Sequence, residues 1–258
     1  MNYPIMALIA TTFTWFITLL GASIVFFFKK INKSVMDAIL GFAAGVMIAA
    51  AFFSLLAPSI EMANNLNLTG WIVASVGVLL GAILLFVGDK VFDKIEEKRN
   101  DKKTSSLKRC LMLIFSITLH NIPEGMAIGV AFGSLKYGLD GATFSTACML
   151  AFGIGLQNFP EGMAISLPLR REGFSRKKAF FYGQLSGIVE PISGFIGAIV
   201  VLKSRMLLPY LLAFAAGAMI YVVVEELIPE SQTNKKKDFM AFCTLIGFVI
   251  MMIMDLSL

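Results

Sequence analysis

The chain has 258 residues, 57% of them hydrophobic and 15% charged, with a mean hydropathy of +0.81 and a formal net charge of +5. A soluble domain of this size carries roughly 25% charged residues, so the composition excludes a soluble fold and fits one polytopic membrane domain. Its 22 basic residues are spread over short loops rather than gathered in a patch, which excludes a nucleic-acid surface and suits contact with anionic lipid.

Eight apolar segments follow one another, each near the ~20 residues that cross a bilayer as helix. They run over 5–28, 35–57, 70–92, 110–132, 142–168, 179–201, 207–228 and 239–256, and predict an all-α polytopic membrane protein. The first is too long for a signal peptide, lacks a basic start and ends in FFFKK without a small-residue cleavage site. Between the third and fourth lies the longest polar loop, 93–109, which has no histidine and reads as a linker. The fifth is interrupted by polar residues, and its length implies tilt or a kink. Cys110, Cys148 and Cys243 lack ligand or disulfide spacing and read as small apolar residues within helices.

Charge orients the bundle. With both termini outside, the inner loops and helix ends collect Lys29, Lys30, Lys33, Lys90, Lys94, Lys98, Arg99, Lys102, Lys103, Lys108 and Arg109. They also collect Arg170, Arg171, Arg176, Lys177, Lys178, Lys235, Lys236 and Lys237, leaving only Lys136, Lys203 and Arg205 outside. This is the positive-inside bias, and an odd number of spans would scramble it.

Two internal echoes follow. GFAAGVMIAAAFFSLLAP at 41–58 resembles AFAAGAMIYVVVEELIP at 213–229, and HNIPEGMAIG at 120–129 resembles QNFPEGMAIS at 157–166. The members of each pair lie an odd number of spans apart and so run in opposite directions, as an inverted repeat requires. The stretches Gly41 to Gly45 and Gly183 to Gly187 have the spacing of helix-packing surfaces.

The second echo carries the chemistry. His120, Asn121 and Glu124 share one helix face, with Pro123 predicted to kink the helix and free a carbonyl. Gln157, Asn158, Pro160 and Glu161 repeat the pattern in the fifth segment. Glu190 follows in the sixth, just before Pro191 and one turn after Ser186. An ionised group near mid-bilayer costs roughly 2.5–3.5 kcal/mol, and three would also repel one another. No Lys or Arg lies between 110 and 135, between 137 and 169, or between 179 and 202. A divalent cation could neutralise the acids, and carboxylates with one imidazole and amide oxygens suit Zn²⁺, Fe²⁺ or Mn²⁺. The ligands suffice for one ion or for two close together.

HNIPEG, QNFPEG and SGIVEP in successive segments resemble the ZIP (Zrt/Irt-like) family of divalent metal transporters, over essentially the whole chain. The short, histidine-free loop places the resemblance nearest bacterial, archaeal or GufA-like members. It implies eight spans, with helices one to three mirrored by six to eight around a central pair, in the cell inner (plasma) membrane. It also implies His120, Glu124, Gln157 and Glu161 around one metal, and Asn121, Glu124, Asn158, Glu161 and Glu190 around a second, with Glu124 and Glu161 bridging. Some members carry aspartate where Asn158 stands, so the second position here has less charge. Glu225 and Glu226 fall where some relatives have ligands along a release route; as interfacial acids they would instead face cytoplasmic water. Glu61, Asp89 and Asp93 read as solvated groups at helix ends or loops.

The expected activity is import of Zn²⁺, with Fe²⁺, Mn²⁺ and Cd²⁺ as further substrates, by alternating access rather than by enzyme chemistry. The expected partners are the metal ion and lipid, with a homodimer left open. A cation/proton or sodium/calcium-type exchanger is the alternative, although His120 disfavours calcium. A membrane metallohydrolase is less supported, because neither an HExxH arrangement nor a nucleophile is present.

Overall fold

A computed structural model describes residues 2–27, 32–98, 105–138, 142–203 and 205–257. Among them eight long helices follow one another: α1 (Tyr3–Phe27), α2 (Lys33–Asn65), α3 (Gly70–Lys98), α4 (Ser105–Ser134), α5 (Phe144–Arg171), α6 (Arg176–Lys203), α7 (Leu208–Ser231) and α8 (Lys237–Leu256). Of the basic residues that orient the bundle, Lys29, Lys30, Arg99, Lys102 and Lys103 lie outside the described residues, as do positions 99–104 of the polar loop.

Local sequence sets the helix starts. Asn32 accepts from the Ser34 amide at 2.9 Å to open α2, and Ser175 accepts from the Lys178 amide at 3.3 Å to open α6. Thr143 and Thr146 form a reciprocal capping box ahead of α5. Three helices change pitch partway. In α2 the turns widen over Ala50–Leu56, in α7 they widen over Val223–Leu227, and in α6 they tighten over Ser186–Ile188. Such departures from regular α-helix are frequent where a helix serves a site.

The main helix pairings are α4 with α6, α1 with α5, α3 with α7 and α2 with α8. Glycines bring these backbones together. A side chain at Gly125 would run into Glu190 and Ser193, and one at Gly129 into the Gly194 carbonyl, so α4 and α6 touch main chain to main chain. Gly162 lies against Thr18 of α1 and Gly45 against Thr244 of α8 in the same way. Gly41 meets Ser231, Met240 and Thr244, and Gly183 and Gly187 meet Ala22, Ser166 and Thr18, which makes both sequence-predicted glycine pairs packing surfaces.

Six of the helices are long and apolar enough to cross a membrane: α1, α2, α3 over Gly70–Val91, α6, α7 and α8. Of the eight spans expected from sequence, six qualify by length and composition among the described residues. The two others, α4 and α5, have 30 and 28 residues, and their polar phrases dilute the apolar run. They occupy the middle of the bundle. Ala127, Ile128, Val130 and Phe132 on α4 are buried, as are Ile154, Ala164, Ile165 and Leu169 on α5. Outward faces of α3 and α8 expose Trp71, Leu79, Ile83, Phe242, Leu245 and Ile253, as lipid contact requires.

Candidate metal centre

Both proline-containing phrases stay helical. Pro123 and Pro160 lie inside uninterrupted α4 and α5, so neither breaks its helix. Each phrase therefore keeps its polar residues on one inward face. Asn121, Glu124, Gln157, Asn158, Glu161 and Glu190 are all fully buried. Glu124, Glu161 and Glu190 lie close enough to repel one another as carboxylates. The side chain of His120, the remaining member of the predicted set, lies outside what the structure describes.

The hydrogen bonds divide the cluster into two parts. In one, the Gln157 amide donates to Oε1 of Glu124 and joins the two phrases directly. In the other, Nδ2 of Asn158 lies 2.9 Å and 3.0 Å from the two oxygens of Glu190 and 3.3 Å from the Thr14 carbonyl. The Thr14 hydroxyl also donates to Oε2 of Glu190. Asn121 donates to the Ser186 carbonyl at 3.0 Å, where α6 tightens just ahead of Glu190. Pro191 has no N–H to offer the Gly187 carbonyl, so regular α-helical bonding cannot continue there.

Among the described residues, several buried oxygens receive no hydrogen bond: Asn121 Oδ1, Glu124 Oε2, Gln157 Oε1 and Asn158 Oδ1. A buried acceptor without a donor forfeits about 1–3 kcal/mol. Native interiors avoid that unless the site has another use. These four come from both phrases, and all are hard oxygen donors of the kind a divalent cation accepts. Among the described residues, no group of three or more His, Cys, Asp or Glu side chains gathers as a metal cluster. Glu190 is already engaged by Asn158 and Thr14, and amides supply much of the remaining donor set.

Helix α1 is a contributor that the sequence reading missed. Thr11, Thr14 and Thr18 are fully buried on one face of it, against the centre and against Gly187 and Gly194 of α6. Their spacing of three and four, in a helix otherwise apolar on that face, is the signal that would have found them.

Glu225 and Glu226 lie in the widened turn of α7. Glu225 is exposed; Glu226 is half-buried, leaves Oε2 without a partner, and has Asp89, Glu225 and Glu161 as its charged neighbours. Asp89 was expected to be solvated. It is half-buried within α3 and hydrogen-bonds Tyr221, because α3 packs along α7 at this level.

Comparison with known proteins fits this arrangement. The sequence profile of the family described as ZIP Zinc transporter matches residues 2–109 and 93–255. The chain is 40% identical to zinc transporter ZIP11 of Xenopus tropicalis and 37% identical to zinc transporter ZIP11 of Homo sapiens, each alignment covering 98% of this chain and 97% of the relative. It is 33% identical to zinc transporter GufA of Myxococcus xanthus, over 97% of this chain and 98% of that one. The expected nearness to bacterial, archaeal or GufA-like members is thereby corrected toward the vertebrate proteins. Loop length misled because the Xenopus alignment runs over 326 positions against 258 residues here, so that relative has insertions this chain lacks. Surface loops tolerate such insertions while the helices persist. The chain belongs to the ZIP family of transporters and is not an enzyme.

Proposed function

We propose that the chain imports divalent transition-metal ions, Zn²⁺ first among them, through the buried centre formed by α4, α5 and α6. One observation carries this reading: among the described residues, fully buried acceptor oxygens from both phrases stand without donors, and no Lys or Arg shares their helices near them. Neutral hydrogen-bond donors would have silenced those oxygens; a passing cation uses them. The relatives named above, all zinc transporters, favour Zn²⁺, and Fe²⁺, Mn²⁺ and Cd²⁺ suit the same donors.

On this reading His120, Glu124, Gln157 and Glu161 hold the first ion. Asn121, Asn158 and Glu190 stand beside it, as a second ion position or as the support of the first. Glu226 and Glu225 lie along the release route. The ion arrives hydrated, exchanges water for carboxylate and amide oxygens, and leaves as one part of the bundle moves against the other. Protonation of a ligand would weaken its hold and help release.

The same reading takes α4 and α5 as the fourth and fifth of eight spans, enclosed by the six that are long and apolar enough to cross a membrane. The pairings support an inverted repeat. Exchanging α1, α2 and α3 with α6, α7 and α8, and α4 with α5, turns the α1–α5 pair into α6–α4 and the α3–α7 pair into α8–α2. Eight spans with the basic loops inside put both termini outside the cytoplasm.

Uptake by proteoliposomes tests the proposal, comparing Zn²⁺, Fe²⁺, Mn²⁺, Cd²⁺ and Ca²⁺ for wild type, Glu124→Ala and His120→Ala. Transition-metal uptake abolished by Glu124→Ala is the expected result. Uptake of Ca²⁺ alone would replace the proposal with an exchanger.

A further inference from the structure

Away from the centre, one end of the α2–α8 pair combines two features that neither helix has alone. An open groove of about 370 Å³ runs between them, and its accessible surface is entirely apolar. Val35, Ala38, Ile39 and Phe42 of α2 form one wall and Phe239 of α8 the other, with Ser34 at the end. Four exposed lysines gather at that end: Lys33 in the first turn of α2, and Lys235, Lys236 and Lys237 leading into α8.

Asn234 fixes this convergence. Its Nδ2 donates to Ser34 Oγ at 3.1 Å and to Asp37 Oδ2 at 2.8 Å, while its Oδ1 accepts from the Lys236 amide at 2.9 Å. The Ser231 hydroxyl adds a bond to the Asp37 carbonyl at 2.9 Å. Asp37 is 2% exposed and turned into this network, so its carboxylate is spent on Asn234 rather than on the lysines. Asp238 is the one exposed acid in the first turn of α8. The two helix starts also present their N-terminal dipole ends here, which favours an anion.

We propose that this groove binds one acyl chain of an anionic phospholipid, with the phosphate of its headgroup held by Lys33 and Lys235–Lys237. Orientation in the bilayer accounts for lysines at helix ends, but not for an apolar channel opening between them. The groove lies on the outer face of a bundle that sits in lipid, so its occupant is already at hand. A chain seated there bridges α2 and α8 and supplements a contact that otherwise rests on close backbone approach, such as Gly45 against Thr244.

The test is lipid binding to the intact chain in detergent, read by native mass spectrometry with phosphatidylglycerol and phosphatidylcholine as probes. Phosphatidylglycerol should bind at least about tenfold more tightly, since its negative charge stands unopposed, whereas the choline cation of phosphatidylcholine offsets the phosphate and is itself repelled by the lysines. Replacing Lys33, Lys235, Lys236 and Lys237 by glutamine should erase that preference. Ala38→Trp, which fills the groove but keeps the lysines, should remove the bound lipid, with a melting temperature in lipid-free detergent equal to that of wild type showing that the fold persists. Equal binding of the two lipids overturns the proposal, as does full competition by glycerol phosphate alone, which would leave the groove without a part. Retained lipid in Ala38→Trp, or a change in its oligomeric state, overturns it too.

Discussion

The Thr14 hydroxyl of α1 donates to Oε2 of Glu190 on α6, so a residue from the first helix holds the last acid of the centre. Asn158 of α5 grips the same carboxylate at both oxygens. Three helices thus meet on one buried side chain, which makes Glu190 a structural hub as well as a member of the acidic set. A hydrogen bond to a charged group contributes about 1.5–3 kcal/mol, enough to decide which rotamer Glu190 adopts.

Thr14→Val, nearly the same shape without the hydroxyl, should therefore release Glu190 toward Glu124 and Glu161. Zinc uptake should fall several-fold while the protein still folds, and Thr14→Ser should restore most of it. Uptake kinetics of the two variants in proteoliposomes check this. Equal activity of the valine variant and wild type would make Thr14 a packing residue only.

Gln157 joins the two phrases through its bond to Glu124 and leaves its own oxygen without a donor. Gln157→Leu removes both features in a side chain of similar size. Zinc affinity should drop by at least about tenfold, the scale of losing a group that orients a metal ligand. Calorimetric titration of the purified variant with Zn²⁺ measures it. An affinity equal to wild type would remove Gln157 from the proposed ligand set.

How far the sequence disclosed this site depends on the residue. Glu124, Glu161 and Glu190 were legible because an acid inside an apolar run has few structural uses, and the mirrored phrases repeated the message. Thr14 was passed over despite its spacing from Thr11 and Thr18, because a threonine in an apolar helix can satisfy its hydroxyl on its own backbone, as Thr11 does on Ala7. Asp89 read as solvated because burial beside α7 depends on a partner 132 residues further on, Tyr221. Helix positions read well from hydropathy, and the ends were missed most at α2 and α3, which run on to Asn65 and Lys98; at α4 and α5 the polar phrases dilute the apolar run without ending the helix.

The glycine contacts make a prediction that does not involve metal. A Cβ at Gly129 would strike the backbone of Gly194, which cannot move without parting α4 from α6. Gly129→Ala should destabilise the protein by about 1–3 kcal/mol. Gly153→Ala is the matched control, since its Cβ meets only the flexible end of Met251. Melting temperatures in one detergent should fall for the first and stay nearly constant for the second. Equal shifts would mean that α4 and α6 are not in close backbone contact.

Asn158→Asp alters the centre in the opposite sense. The amide that donates to both oxygens of Glu190 becomes a second carboxylate facing the first, with no Lys or Arg on α4, α5 or α6 near enough to offset it. In the presence of a chelator, the like charges should destabilise the fold and lower the melting temperature by several degrees. A divalent cation seated between the introduced carboxylate and Glu190 would relieve that repulsion. Zn²⁺ should therefore raise the melting temperature of Asn158→Asp by more than it raises that of wild type, and the metal bound per chain should increase. Thermal unfolding with and without Zn²⁺, together with elemental analysis of the dialysed protein, reads both effects. Should the variant match wild type in chelator and bind no additional metal, Asn158 would be too distant from Glu190 to govern a second ion position.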